Sequence, residues 1–277
     1  MLGSQFADVT WLERELIPGR QSLERFLAKP LVFDVDDAIW LGGPYAARGV
    51  ERIARRSAVV LAGNSYIAGW LSQFAVNVEI VPTAVDTARF RPSDARADGP
   101  LRIGWTGIAS NLTYLYAIEQ PLNRFLQETG AEITIIAERP PEFRCIRTDR
   151  VRFVPWSTQN ESDALREIDV GLMPLSFDEW ARGKCSFKML QYMASGIPVV
   201  VTDVGMNSDL LRMGEVGFGV RTEEEWLDAL MALHVDRDLR LRLGRNGRAL
   251  AVTRFDTAVI AARLLDLFRS VSTRSLS

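Results

Sequence analysis

The residue types best able to do chemistry are concentrated in one stretch, DEWARGKCSFKMLQYMASGIPVV, residues 178–200. Ser186 stands where a helix N-cap would stand. The helix it would open runs through Ala194, stops at Gly196 and is followed by Pro198. Lys184 falls just before that helix and Lys188 near its first turn. A helix start carries partial positive charge, so acids are expected there and two cations are not, unless an anion joins them. The loop Arg182-Gly183-Lys184 entering a helix start, with N–H groups still to be satisfied, suits a phosphate. Solvated lysines are the plainer alternative. Asp178 and Glu179 are the acids that the same loop supplies.

Four further groups have chemical potential. The turn IGWTGIASN, residues 103–111, follows an apolar strand and puts Thr106 and Gly107 where loops of an open α/β sheet converge on a ligand; backbone N–H groups near Gly107 are expected to meet phosphate. Trp156, after another strand, could line a base pocket or simply pack. In FDVDDAIW, residues 33–40, a strand ends on acids and an aromatic, so Asp36 and Asp37 could hold hydroxyl groups and Trp40 could stack on a ring face; a capped turn is the alternative. Arg48, Arg52, Arg55 and Arg56 share one helical face opposite Val50, Ile53 and Ala54. Such a face can meet anionic lipid or a phosphorylated acceptor, although most basic faces are only solvated.

Other chemistries are excluded by what is missing. His234 is the one histidine, and it reads as part of a helix surface away from every motif, so Ser-His-Asp and Cys-His catalysis lack a base. Cys145 and Cys185 carry no metal-ligand spacing, and no metal site is expected. A net charge of −2 argues against a nucleic-acid partner. No apolar run reaches the roughly 20 residues of a membrane span, and no signal pattern opens the chain. A cytoplasmic setting, with peripheral contact at the inner membrane face through the arginine-rich helix, is the expectation. No Gly-x-Gly-x-x-Gly opens a helix after a strand, which disfavours a nicotinamide enzyme.

These residues need a scaffold. Short apolar strands alternate with helical patterns, the pattern of a parallel α/β protein. Strands are expected at 9–12, 31–34, 58–61 and 78–81, then at 101–105, 132–136, 151–154, 170–173, 198–201 and 217–220. Residues 1–88 form a partial first lobe of four strands, and 89–100 a polar linker. Residues 101–256 form a complete doubly wound lobe, and 257–277 a helix packing back on the first lobe. Four strands leave the first sheet incomplete, which leaves three alternatives: a missing preceding segment, a partner covering the sheet edge, or a naturally reduced lobe.

Two segments, IVPTAVDTARF (80–90) and KMLQYMASGIPVV (188–200), carry a resemblance to the family-4 retaining glycosyltransferases of GT-B fold, and the likeness covers about residues 58–270. The first resembles that family's interdomain motif and the second its donor-site helix. The resemblance implies two Rossmann-like lobes and a nucleotide-diphosphate sugar donor held by the C-terminal lobe. It implies transfer with retention to a glycan, lipid-linked or small-molecule acceptor, with no cofactor and no metal, as in carbohydrate biosynthesis. Carried onto this chain, it makes Lys184, Lys188 and Asp178 the catalytic residues. Thr106, Gly107, Trp156, Arg182, Gly183, Phe187 and Gln191 become donor contacts, with Asp36, Asp37 and Trp40 on the acceptor side. The departures are specific. Gly183 and Gln191 occupy the positions where family members carry paired glutamates, residues 106–111 lack the usual basic pair, and the first lobe has no histidine. A non-catalytic nucleotide-sugar-binding or scaffold protein, or a GT-B-fold epimerase, are the alternatives.

Overall fold

The computed structural model describes residues 7–17, 23–43, 45–93 and 99–274 of the 277. Its strands are β1 (Thr10–Glu13), β2 (Leu31–Val35), β3 (Val59–Ala62), β4 (Val78–Ile80) and β5 (Arg102–Thr106), followed by β6 (Glu132–Ala137), β7 (Val151–Pro155), β8 (Val170–Met173), β9 (Val199–Thr202) and β10 (Gly217–Val220). Its α-helices are α1 (Ala46–Arg56), α2 (Ser65–Leu71), α3 (Leu112–Tyr116), α4 (Glu119–Thr129), α5 (Thr158–Leu165) and α6 (Glu179–Arg182), then α7 (Phe187–Ala194), α8 (Met206–Met213), α9 (Glu223–Val235), α10 (Arg237–Leu250) and α11 (Thr257–Arg274). All ten expected strands are present, each within a residue of its expected ends.

The chain forms two compact units. Unit 1 comprises Met1–Ala84, Phe177–Cys185 and Thr257–Ser277; unit 2 comprises Val85–Ser176 and Ser186–Asp256. In unit 1 a parallel sheet runs in the order β1-β2-β3-β4. β2 and β3 pair in register from Val32 with Val59 to Val35 with Ala62. β3 is buried along its whole length and β2 at all but Asp34, as expected of a sheet covered on both faces. Helix α11 supplies part of that cover: Ile260 and Val271 join Val32, Val59, Leu61 and Val81 in one apolar cluster. At the β1 edge, Trp11 packs on Phe268 with ring centroids 5.5 Å apart.

Unit 2 holds a six-stranded parallel sheet in the order β10-β9-β8-β5-β6-β7. The order reverses direction between β5 and β8, and loops at the carboxyl ends of these strands flank the crevice where α/β sheets bind ligands. Trp105, Ile103, Leu122, Phe125, Ile133 and Leu172 belong to its core. The expected linker divides into distinct parts. Phe90 is only 2% exposed, and Arg248 Nη1 donates to the carbonyls of Thr87, Phe90 and Ala194 at 2.9, 2.9 and 2.7 Å, so this stretch is fastened inside unit 2. Residues 94–98 of that linker lie outside the described residues.

Candidate functional site

Unit 2 brings a cation to its sheet switch point. The β5–β8 ladder covers only Ile103 with Val170 and Gly104 with Gly171. Beyond it, Tyr192 of α7 bridges the strands: its hydroxyl donates to Leu172 O at 3.1 Å and accepts from Thr106 N at 3.1 Å. Burial pushes that phenol's pKa up. A Cβ on Gly171 would lie 2.4 Å from the Tyr192 ring, so glycine is required there for α7 to sit against β8. One turn earlier on α7, Lys188 Nζ lies 4.6 Å from the centroid of the Trp105 ring. Gly107 closes this arrangement, since an added Cβ would lie 2.6 Å from Lys188 Nζ and 2.8 Å from the indole. The result is a half-buried ammonium at the turn after β5, where an anion can approach a preorganised charge.

Beneath that turn lies a polar network. Thr106, 1% exposed, donates its hydroxyl to Glu161 Oε1 at 2.8 Å, and Arg89 approaches Glu161 Oε2 at 3.4 Å. The Thr106 hydroxyl, expected at the donor, is therefore turned into the protein. The expected backbone cradle near Gly107 is also corrected: Gly107 N–H bonds Ile136 O and Ala109 N–H bonds a Glu138 carboxylate oxygen, each at 3.0 Å. Sheet geometry claims the first and a local acid the second.

Ser186 does open α7, but not as a side-chain cap. It sits in the left-handed region at φ 52°, and its hydroxyl donates to Asn207 Oδ1 at 2.7 Å instead. Asn207, fully buried, also donates to Thr202 O at 3.0 Å. Phe187 is exposed on the first turn, Gln191 is buried at 2% exposure, and Trp156 is half exposed just beyond β7.

Unit 1 gathers the acids and the other lysine. Asp178 caps α6 by accepting Ala181 N–H at 2.7 Å, which explains its position without catalysis. Gly183 packs on Ala38; an added Cβ would lie 2.4 Å from Ala38 Cβ and 2.7 Å from its backbone nitrogen, so no carboxylate side chain fits at this departure from the family pattern. Arg182 is exposed. Asn64, 3% exposed, caps α2 by accepting Ile67 N–H at 2.9 Å, and its amide donates to Arg182 O and Lys184 O at 3.2 and 3.1 Å. Cys185 donates its thiol to Asp36 O at 2.9 Å; burial, then Asp36 and Asp37, push its pKa up to about 12.

Burial also raises Asp37, opposed by Lys184. Asp34 rises to about 6 for the same reason, opposed by the Trp11 indole N–H at 3.2 Å and reinforced by Asp36 and Glu13. Asp36 is exposed. Trp40 departs from expectation: it is 6% exposed and stacked on Trp70 at 4.4 Å with 2° between planes, so its ring face is occupied by another indole rather than open to a sugar.

Sequence reasoning missed Asn64, Trp105, Glu161 and Asn207. Asn64 alone had a local signal, as an asparagine directly before a helical pattern. The described cavity of about 520 Å³ lies elsewhere in unit 2, among Pro92, Gly196, Arg237, Arg245 and Arg248, and contains none of the expected site residues. Among the described residues, no cluster of three or more His, Cys, Asp or Glu could hold a metal ion, and no helix is long and apolar enough to cross a membrane. The α1 arginines do form a surface: Arg48, Arg52 and Arg55 are exposed while Val50, Ile53 and Ala54 are buried.

Two parallel Rossmann-like sheets, one with a cation at its switch point, define a GT-B glycosyltransferase fold. The profile described as Glycosyl transferases group 1 matches residues 102–236, the stretch that includes the donor-site helix through which the chain resembles the family-4 GT-B class. The D-inositol 3-phosphate glycosyltransferase of Nocardia farcinica is 28% identical over 225 residues, covering 69% of this chain and 47% of that protein. The GDP-mannose-dependent alpha-(1-6)-phosphatidylinositol monomannoside mannosyltransferase of Mycobacterium tuberculosis is 26% identical over 266 residues, covering 83% and 66%. The chain thus spans from about half to two thirds of the length of these curated relatives. Among solved structures, Anabaena HepE in complex with UDP and glucose superposes with a TM-score of 0.72 at 16% identity, covering 87% of this chain and 72% of that one. Sucrose-phosphate synthase from Thermosynechococcus elongatus gives 0.69 at 15%, covering 90% and 70%. At such identities these two show the fold.

Proposed function

We propose that this chain is a glycosyltransferase that moves a sugar from a nucleotide-diphosphate donor to a glycan, lipid-linked or small-molecule acceptor with retention at the anomeric carbon. The observation that carries this reading is Lys188, held on Trp105 and against Gly107 at the switch point of unit 2. A fixed ammonium there stabilises the charge that grows on a departing diphosphate, without help from a metal. No side chain here is an obvious nucleophile, which favours front-face attack with the leaving phosphate taking the acceptor proton. Asp36 and Asp37 of unit 1 are assigned to acceptor hydroxyls, and Lys184 acts on Asp37. Both curated relatives bear inositol in their names, so inositol phosphates and phosphatidylinositol mannosides head the acceptor trials.

The test is calorimetric and thermal-shift binding of UDP, GDP, ADP and TDP, with and without chelator, to the wild type and Lys188→Ala. One nucleotide should stabilise the wild type, chelator or not, and fail to stabilise the variant. Equal binding by the variant sinks the assignment. A second reading, a nucleotide-sugar-binding protein without transfer, is favoured by Gly183, where Ala38 leaves no room for a carboxylate side chain. Donor binding with neither hydrolysis nor transfer to any acceptor would establish it. Release of free nucleotide with an altered sugar would instead indicate an epimerase.

A further inference from the structure

We propose that Trp105 is a positioning residue for Lys188, holding its ammonium at the turn after β5 so that the charge is oriented before a nucleotide diphosphate arrives. The inference rests on the reading of unit 2 as a nucleotide-sugar site, and it concerns a residue that the motifs of the chain do not mark. Lys188 Nζ stands 4.6 Å from the indole centroid. A Cβ on Gly107 would come within 2.6 Å of that nitrogen and 2.8 Å of ring atoms Cη2 and Cζ2, so strand, turn and helix meet at one point. Trp105 itself is 1% exposed and belongs to the core of unit 2, which fixes the ring in one orientation.

An indole face attracts an ammonium, and more strongly where water is partly excluded. Lysine also loses much rotamer freedom when ordered. The indole face and the close turn at Gly107 restrict that freedom by themselves, so less of it remains to be lost when a phosphate binds. Gly107 completes the device, because any side chain at that turn would displace the ammonium from the ring. The rival account is that Trp105 is only a core residue covered by the lysine stem. That role would affect stability and every ligand alike; positioning affects phosphates alone.

The experiment compares wild type, Trp105→Phe and Trp105→Leu for binding of the nucleotide the protein accepts, the matching nucleoside, and inorganic pyrophosphate. Trp105→Leu should weaken diphosphate and pyrophosphate binding about tenfold, with a smaller loss for Trp105→Phe, and leave the nucleoside unchanged. In a Lys188→Met background the Trp105 substitutions should have no further effect on phosphate binding. An equal loss for nucleoside and diphosphate overturns the proposal, as does undiminished phosphate binding. Trp105→Phe keeps the test usable if Trp105→Leu unfolds. A separate readout needs no ligand: the Lys188 ε-methylene resonance, assigned with Lys188→Arg, should be shifted upfield by the indole in wild type and revert in Trp105→Leu. An unshifted wild-type resonance overturns the pairing itself. A shifted resonance in a protein that binds neither nucleotide nor pyrophosphate defeats the nucleotide-sugar reading, and the positioning role falls with it.

Discussion

The chain passes from unit 1 to unit 2 between Cys185 and Ser186, inside the motif that resembles a donor site, and each side of that point is held by its own buried asparagine. In unit 1, Asn64 grips the backbone carbonyls of Arg182 and Lys184. In unit 2, Asn207 takes the hydroxyl of Ser186. The two lysines differ in the same way. Lys184 lies 5.5 Å from the ring of Trp180, on a four-residue helix and only partly buried. Lys188 lies 4.6 Å from Trp105, in a core strand. Unit 1 therefore fixes its loop through the main chain and leaves the side chains of Arg182 and Lys184 to their electrostatic neighbours. Unit 2 fixes one side chain itself. A rigid cation suits a ligand whose charge is constant, such as a diphosphate, whereas the partly exposed Lys184 acts on a raised carboxyl, Asp37.

The sharpest way to break this comparison is to restore an acid where the family resemblance expects one. Gly183→Glu should not recover a catalytic carboxylate. It should destabilise the protein by about 3 kcal/mol or more, because its Cβ meets Ala38 Cβ and the Ala38 backbone nitrogen. Gly183→Ala should show most of the loss by thermal or denaturant unfolding; a well-folded Gly183→Glu with raised transfer would refute this account of unit 1. Next in size is Asn64→Ala, which removes a helix cap and two amide bonds to partly buried backbone carbonyls, at about 2 kcal/mol. Asn64→Asp separates the two roles. It keeps the acceptor for Ile67 N–H but turns an oxygen toward two carbonyls, so stability near that of Asn64→Ala would show that the backbone grip dominates.

How far these features could be read in advance depended on their range. Ten strands were legible because apolar runs such as 132–137 and 199–202 announce themselves locally. The position of Ser186 at the start of α7 was legible too, but its left-handed backbone and its bond to Asn207 were not, since the partner lies 21 residues away. Trp40 looked like a sugar platform because an aromatic after acids has that meaning on a surface; only the placement of α2 reveals that Trp70 covers it. The helix position of Lys188 is legible in the sequence, while the ring beneath it belongs to a strand 83 residues earlier, a pairing that the sheet order creates. Gly183 departs from the family pattern on sequence alone, and the close approach of Ala38 supplies the reason.

A smaller effect, opposite in sign, tests the acids of unit 1. Asp34 folds with its pKa raised from 3.8 to about 6, so its carboxyl holds a proton more tightly in the folded state than in the unfolded one. Its contribution to stability is then fully present below about pH 4 and is lost as the pH rises through about 6. Asp34→Asn removes the penalty of a partly buried charge while keeping an oxygen for Trp11 Nε1 to donate to. It should raise stability at pH 7.5 by about 1–2 kcal/mol, change little at pH 4, and flatten the dependence between them. Denaturant midpoints across that range would check it. Equal effects at both pH values would mean that folding leaves the Asp34 pKa where it is in the unfolded chain.

The smallest change in stability is expected at Trp156, and it completes the contrast with Trp105. Trp156 is 49% exposed, and the bond it makes to Ala137 O at 2.8 Å comes from its backbone N–H, so Trp156→Ala should shift unfolding by less than about 1 kcal/mol. Its meaning lies in binding. An open indole at the carboxyl end of β7 offers the stacking surface that Trp40 has lost to Trp70. If it lines the base pocket, Trp156→Ala should weaken nucleoside and nucleotide by about the same factor, roughly five- to fiftyfold for one stacked base, and leave pyrophosphate untouched. Trp105→Leu should do the reverse. Crossing the two substitutions against nucleoside and pyrophosphate then separates base from phosphate within one unit: opposite patterns assign each tryptophan its half of the donor, and matching patterns would mean that both rings serve only the packing of unit 2.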